Sequence, residues 1–133
     1  MLYYIDSSAF LKVFLEEEFS DFLRNFLKQS SVSNTICSSN LLETECRRAA
    51  YREEIAQSSI SSGLENVVLI SASDEILHNA GIMLPNGDER LRSLDAIHLA
   101  TAQYCAVDLF LTYDKRQFEA AKALGLKVLS PGL

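Results

Sequence analysis

The stretch Leu2-Tyr3-Tyr4-Ile5-Asp6-Ser7-Ser8-Ala9-Phe10-Leu11-Lys12 reads as a short apolar strand running directly into a helix, with Asp6 at the junction. In an open parallel sheet, ligands collect in the crevice beyond the carboxyl ends of the strands, so a carboxylate at that junction points into the crevice. Taken alone, Asp followed by Ser7 and Ser8 is also an ordinary helix-start signal, with the serines as caps. Repetition gives the junction its weight. Leu109-Phe110-Leu111-Thr112 runs on to Asp114, a helical stretch follows again, and the two strands can lie side by side.

Outward from these two junctions the chain alternates strand-like and helix-like segments, the pattern of an α/β domain with a mainly parallel sheet. Ser8 to Leu15 is expected to be helical, and Phe19, Phe22, Leu23, Phe26 and Leu27 recur at helical spacing. Thr35 to Cys37 is a short β-branched run, and Ser38-Ser39-Asn40 offers caps for a long helix from about Leu41 to Ala56, broken by Ser58 to Gly63. Val67 to Ile70 reads as a fully buried strand and Ser73-Asp74-Glu75 as a helix start. Pro85-Asn86-Gly87 reads as a loop, after which Ser93 caps a helix over Leu94 to Tyr104. Leu109 to Leu111 is a strand, Phe118 to Leu124 a helix stopped by Gly125, and Lys127 to Leu129 the last strand.

At 133 residues, 48% hydrophobic and 23% charged, the chain has the makeup of one globular domain, spanning 1–133. Its longest aliphatic run, Val67 to Ile70, is far short of a membrane span, and Asp6 stands where a secretory signal needs a basic start, so a cytoplasmic location is expected. Three cysteines, Cys37, Cys46 and Cys105, show no C-x-x-C pairing and read as reduced, mostly buried thiols. A net charge of −6 argues against a general nucleic-acid coat but not against a nuclease, whose clustered acids are neutralised by cations in the working site. The basic residues come in groups near the acids: Arg47, Arg48 and Arg52; Arg90 and Arg92; Lys115 and Arg116.

Two further acids invite attention. Asp95 lies in the first turn of a helix that Ala96, Ile97, Leu99, Ala100 and Ala102 make apolar almost all round. A carboxylate there favours the positive helix end, and on a buried helix it needs a partner or a metal. Glu45 stands four residues after Leu41 and four before Ala49 and so shares their apolar face, whereas Glu43 points elsewhere and can pair with Arg47. Four carboxylates in one crevice repel: two unit charges about 5 Å apart cost roughly 3 kcal/mol at an effective dielectric near 20. Oxygen-only ligands of this kind suit Mg²⁺ or Mn²⁺, which points to phosphate chemistry through an activated water. His98, three residues after Asp95, reads as a hydrogen-bonded core residue rather than a base.

These residues resemble the PIN domain family and, within it, the VapC-type toxins of toxin-antitoxin pairs. The resemblance spans nearly the whole chain. It rests on Tyr4-Ile5-Asp6-Ser7-Ser8-Ala9, on Ser93-Leu94-Asp95-Ala96-Ile97-His98-Leu99-Ala100-Thr101-Ala102, and on Leu111-Thr112-Tyr113-Asp114 followed by Phe118 and Ala120-Ala121. It implies a three-layer α/β/α sandwich with a central mainly parallel sheet. It also implies an acidic quartet of Asp6, Glu45, Asp95 and Asp114, with Ser7 and Thr112 as supporting hydroxyls. The activity implied is that of a Mg²⁺- or Mn²⁺-dependent endoribonuclease, silenced by a cognate antitoxin and assembled as a homodimer. The surplus of apolar residues in the early helices, from Phe10, Phe14 and Leu15 to Phe22 and Phe26, fits a groove for an antitoxin segment or merely the core of a small domain. Two other readings stay open. A catalytically silent PIN-fold binding module would keep the fold without the reaction. A receiver-type phosphoacceptor domain would need adjacent acids after the first strand and a Lys after the last, where this chain has Ser7-Ser8 and Ser130-Pro131.

Overall fold

The computed structural model describes residues 1–84 and 91–133, and places β1 (Leu2–Ile5) at the centre of a five-stranded, wholly parallel sheet. The elements that follow are α1 (Ser7–Lys12), α2 (Ser20–Ser30), β2 (Thr35–Ser39), α3 (Leu41–Arg52), α4 (Gln57–Leu64), β3 (Val68–Ile70), α5 (Asp74–Ile82), α6 (Ser93–Tyr104), β4 (Leu109–Leu111), α7 (Lys115–Ala123) and β5 (Val128–Leu129). The loop expected at Pro85-Asn86-Gly87, and Arg90, lie outside the described residues.

Strand order is β3-β2-β1-β4-β5. The chain winds outward from β1 to β3 on one side and then crosses back to β4 on the other, so the crevice between the ends of β1 and β4 is the switch point where such sheets bind ligands. Register sets what faces that crevice: Ile5 pairs with Leu111, which puts Asp6 level with Thr112.

The period-two alternation of β1 divides the core into two layers. Ile5 packs with Ala9, Phe10, Leu42, Cys46, Ala50, Ile60, Leu109 and Leu111 on the side covered by α1, α3 and α4. Tyr4 packs with Cys37, Leu99, Ala102, Phe110, Ala120 and Ala121 on the side covered by α6 and α7. The result is the expected three-layer α/β/α sandwich.

Three expectations need correction. Ser58 to Gly63 is not a break but most of α4, because Ile60 is fully buried and anchors the helix, while Arg47 on α3 holds its start through the Gln57 side chain at 3.1 Å. Gly63 belongs there for close approach, since a Cβ at that position would come within 2.6 Å of the Phe14 ring. Val67 to Ile70 is shorter and less buried than its apolar run suggested. As β3 it is the edge strand, bonded on one side only, and Val68 is 52% exposed. Ser7, Ser8 and Ser93 are not the caps expected of them: Asp6 itself caps α1 by accepting from the Ala9 amide, and Arg92, not Ser93, stands at the cap of α6, whereas Ser73 does open α5 by accepting from the Ile76 amide. Gly125, in contrast, ends α7 as expected, with a φ of 81°.

Candidate active site

The site begins with Asp6, whose carboxylate is almost wholly buried where β1 ends. Oδ1 accepts from the Ser8 hydroxyl at 2.7 Å and the Ala9 amide at 3.0 Å, and Oδ2 accepts a short bond from the Thr112 hydroxyl. The carboxylate is thus both a helix cap and the floor of the crevice. Burial raises its pKa above the usual carboxylate value, even though each of these donors pulls the other way.

Thr112 carries the arrangement to the second junction. Its Oγ1 donates to Asp6 and accepts from the Asp114 amide at 3.0 Å, so one hydroxyl sets the spacing between the two strand-end acids. Asp114 in turn caps α7, accepting from the Gln117 amide at 3.0 Å. The buried Gln117 side chain reaches back to the Asp95 carbonyl at 3.3 Å and ties the start of α6 to the start of α7. Asp95 is half-buried, and its pKa is raised first by burial and then by the negative charge of Asp114, with Glu45 adding a smaller push.

Glu45 enters from α3. Its Oε1 lies 2.6 Å from His98 Nε2, and its Oε2 lies 3.5 Å from the Ser7 hydroxyl, at the outer limit of a hydrogen bond. Glu43 faces away and pairs with Arg47 at 2.9 Å, as helical spacing required. The four acids therefore converge from β1, α3, α6 and β4. Thr112 is central to the support and Ser7 marginal. Ser8 is the hydroxyl that sequence reasoning used only as a cap: besides bonding Asp6, its Oγ accepts the Tyr113 amide at 3.0 Å. Its place two residues after Asp6, on the inner side of the first turn, was the available signal. Gln117 had none, because its role depends on a contact 22 residues away.

The donor set fits a hard cation. Every candidate ligand is an oxygen, and among the described residues one more oxygen, Oε1 of the Gln117 that bonds Asp114 and the Asp95 carbonyl, is buried without a hydrogen-bond partner. The adjacent Cys46 offers no thiolate, since burial pushes its thiol up to about 12. Among the described residues no three Asp, Glu, His or Cys side chains stand close enough to enclose an ion by themselves. Mg²⁺ does not require that enclosure, because it keeps several waters and meets the protein through one or two carboxylates. Arg48, Arg52, Arg92 and Lys115 are exposed cations, and Arg92 lies near enough to Asp95 to pull its pKa down.

The PIN domain family model matches residues 3–123. Ribonuclease VapC46 of Mycobacterium tuberculosis is 40% identical over 131 residues, covering 96% of each chain. Among solved structures, VapBC2 from Rickettsia felis, bound to a DNA fragment from its promoter, superposes with a TM-score of 0.79 at 16% identity, covering 98% of this chain and 99% of that one. Mycobacterium tuberculosis VapC20, a sarcin-ricin loop cleaving toxin, gives 0.75 at 15%, covering 97% and 99%. At such identities the two structures speak to the fold, and both share this α/β/α architecture. With the family model spanning both strand-end junctions and the Asp95 helix, and a relative this similar along nearly its whole length, the chain belongs to the PIN domain family.

Proposed function

We propose that the protein is the toxin of a toxin-antitoxin pair, an endoribonuclease that hydrolyses RNA phosphodiester bonds with Mg²⁺ or Mn²⁺ bound in the pocket of Asp6, Glu45, Asp95 and Asp114. The observation that carries this reading is the convergence of the four acids at the switch point, in a site built only of oxygen donors. Metal dependence is general among PIN-domain ribonucleases, and the named relatives are ribonucleases. A bound ion would supply Lewis-acid chemistry, lowering the pKa of a water and shielding the phosphate charge.

The chain's own residues do the rest. Thr112 and Ser8 hold Asp6 rigidly, so its carboxylate cannot turn to follow a misplaced ligand. Asp95, half-buried and pushed toward its neutral form by burial and by the charge of Asp114, is an acid that a bound cation would relieve. Exposed cations, Arg92 near Asp95 among them, offer contacts for the phosphates of an RNA strand that the net charge would otherwise repel. An intact acid set favours this reading over a silent binding module. The receiver alternative fails on the single acid after β1, and on Ser130, which follows β5 and donates to the Thr112 carbonyl.

For the partner, an apolar cavity of about 490 Å³ opens between α1, α2, α4 and β2, lined by Phe10, Val13, Phe14, Leu27 and Ile36 among others. Of the early-helix residues expected to form the groove, Phe10, Phe14 and Leu27 line this cavity, Phe22 is 60% exposed, and Phe26 stacks on Tyr3 with ring centroids 6.0 Å apart. We place an antitoxin segment of apolar character in that cavity, in a cytoplasmic protein that pairs as a homodimer. Among the described residues no helix is long and apolar enough to cross a membrane.

Purified protein should cleave RNA with Mg²⁺ or Mn²⁺ and stop when the metal is chelated. Asp95→Asn or Asp114→Asn should reduce the rate about 100-fold or more, beyond the 10–100-fold typical of outer-sphere partners, while Glu43→Gln stays near wild type. Full activity in Asp95→Asn would remove the acid assignment.

The raised pKa values of Asp6 and Asp95 give a second test, read by thermal melting. An acid whose folded pKa lies above its unfolded value of about 4 stabilises the fold below that value, and this contribution is lost as pH rises through the folded pKa. Metal-free protein should therefore lose stability from these acids as pH rises from about 4, with Mg²⁺ raising the melting point more at pH 7.5 than near pH 4. A metal effect equal at both would contradict it. The cavity is tested by co-purification: Val13→Asp should keep RNA cleavage and lose the antitoxin, and an intact complex would move the partner elsewhere.

A further inference from the structure

The least expected contact in the site is a chain of three side chains leading away from it into the core. Tyr4, fully buried in β1, accepts the Ser39 amide at its phenol oxygen at 3.0 Å. The same oxygen lies 2.6 Å from His98 Nδ1, and the opposite nitrogen of that ring lies 2.6 Å from Glu45 Oε1. Both rings are locked by packing: Tyr4 stacks on Phe110 with centroids 5.0 Å apart, and His98 meets Tyr4 edge-on at 5.8 Å.

The donors fix the direction. An amide can only donate, so the Ser39 N–H uses a lone pair of the Tyr4 oxygen and leaves the phenol proton for another acceptor. His98 Nδ1, 2.6 Å away, is the acceptor hydrogen-bonded to that oxygen, the neighbouring Ser38 hydroxyl being turned to the Ile5 carbonyl at 2.6 Å, and this puts the ring's own proton on Nε2, facing the carboxylate. Burial keeps the phenol protonated, so this donor persists at neutral pH. Among the described residues Glu45 is the only quartet acid held chiefly by a side chain from the opposite layer, its other oxygen having just the 3.5 Å Ser7 contact.

We propose that His98 and Tyr4 are positioning residues: the buried relay from the Ser39 amide through Tyr4 and His98 occupies Glu45 Oε1 and turns Oε2 toward the acid pocket. His98 touches no reacting atom and transfers no proton. It acts through Glu45, as outer partners of metal-binding carboxylates do. The inference rests on the ribonuclease reading only for what Glu45 does once placed.

The test compares Tyr4→Phe, His98→Leu and His98→Gln, each also combined with Glu45→Gln. Tyr4→Phe and His98→Leu should lower kcat about 10-fold with KM for RNA nearly unchanged, and His98→Gln, whose amide can still donate to Glu45, should recover most of the loss. In the Glu45→Gln background the same changes should do almost nothing further, because the relay has lost its object. Losses that add in full to that of Glu45→Gln, or unchanged kcat in Tyr4→Phe, would overturn the proposal.

Nitrogen NMR of the histidine rings, with His78→Gln for assignment, reads the relay without activity. Wild-type His98 should show the proton on Nε2, and Tyr4→Phe should spread it between the two nitrogens. A proton on Nδ1 in the wild type would overturn the proposal. If wild type cleaves no RNA with either metal, the ribonuclease reading fails while the NMR result still decides the relay.

Discussion

Everything in this molecule turns on negative charge confined where water is scarce. Asp6 is buried beneath the crevice, and burial, followed by the charge of Asp114, raises the Asp95 pKa. At separations near 5 Å each such pair costs roughly 3 kcal/mol, a large share of the 5–15 kcal/mol by which a domain of this kind is stable. The fold tolerates the arrangement because the same side chains serve it in other ways.

That double service is clearest at the two strand ends. Asp6 caps α1 and Asp114 caps α7, each satisfying an amide of its own helix. A good cap contributes about 1 kcal/mol, so part of the repulsion is offset locally before any cation arrives. Thr112 then joins the two caps through one hydroxyl, which makes their spacing a property of the β1–β4 register rather than of flexible side chains. Glu45 and Asp95, in contrast, sit within helices and depend on the opposite layer and on Gln117 for their placement. The pocket thus has a rigid half made by strands and an adjustable half made by helices.

Much of this was legible in the chain, for identifiable reasons. The strand-then-Asp junctions at Asp6 and Asp114 are local patterns, and local patterns survive folding. Helical periodicity separated Glu45 from Glu43 because a helix face depends only on spacing. Long-range contacts were not visible. His98 was rightly read as a bonded core residue, but its partners Tyr4 and Glu45 lie 94 and 53 positions away. The helix over Gln57–Leu64 was missed because four serines and a glycine outweighed one isoleucine in the pattern, whereas in the fold the buried Ile60 and the Phe14 ring over Gly63 decide it. The edge position of β3 likewise depends on strand order, which no apolar run encodes.

The central claim is that these acids form one cation pocket at the β1–β4 switch point. It is tested most directly by diffraction from crystals soaked in Mn²⁺, with data collected across the manganese absorption edge. The account predicts an anomalous peak within bonding distance, about 2.0–2.3 Å, of carboxylate oxygens from Asp6, Asp95 or Asp114. A fully occupied Mn²⁺ site bound only elsewhere on the molecule, with this crevice empty, would contradict it.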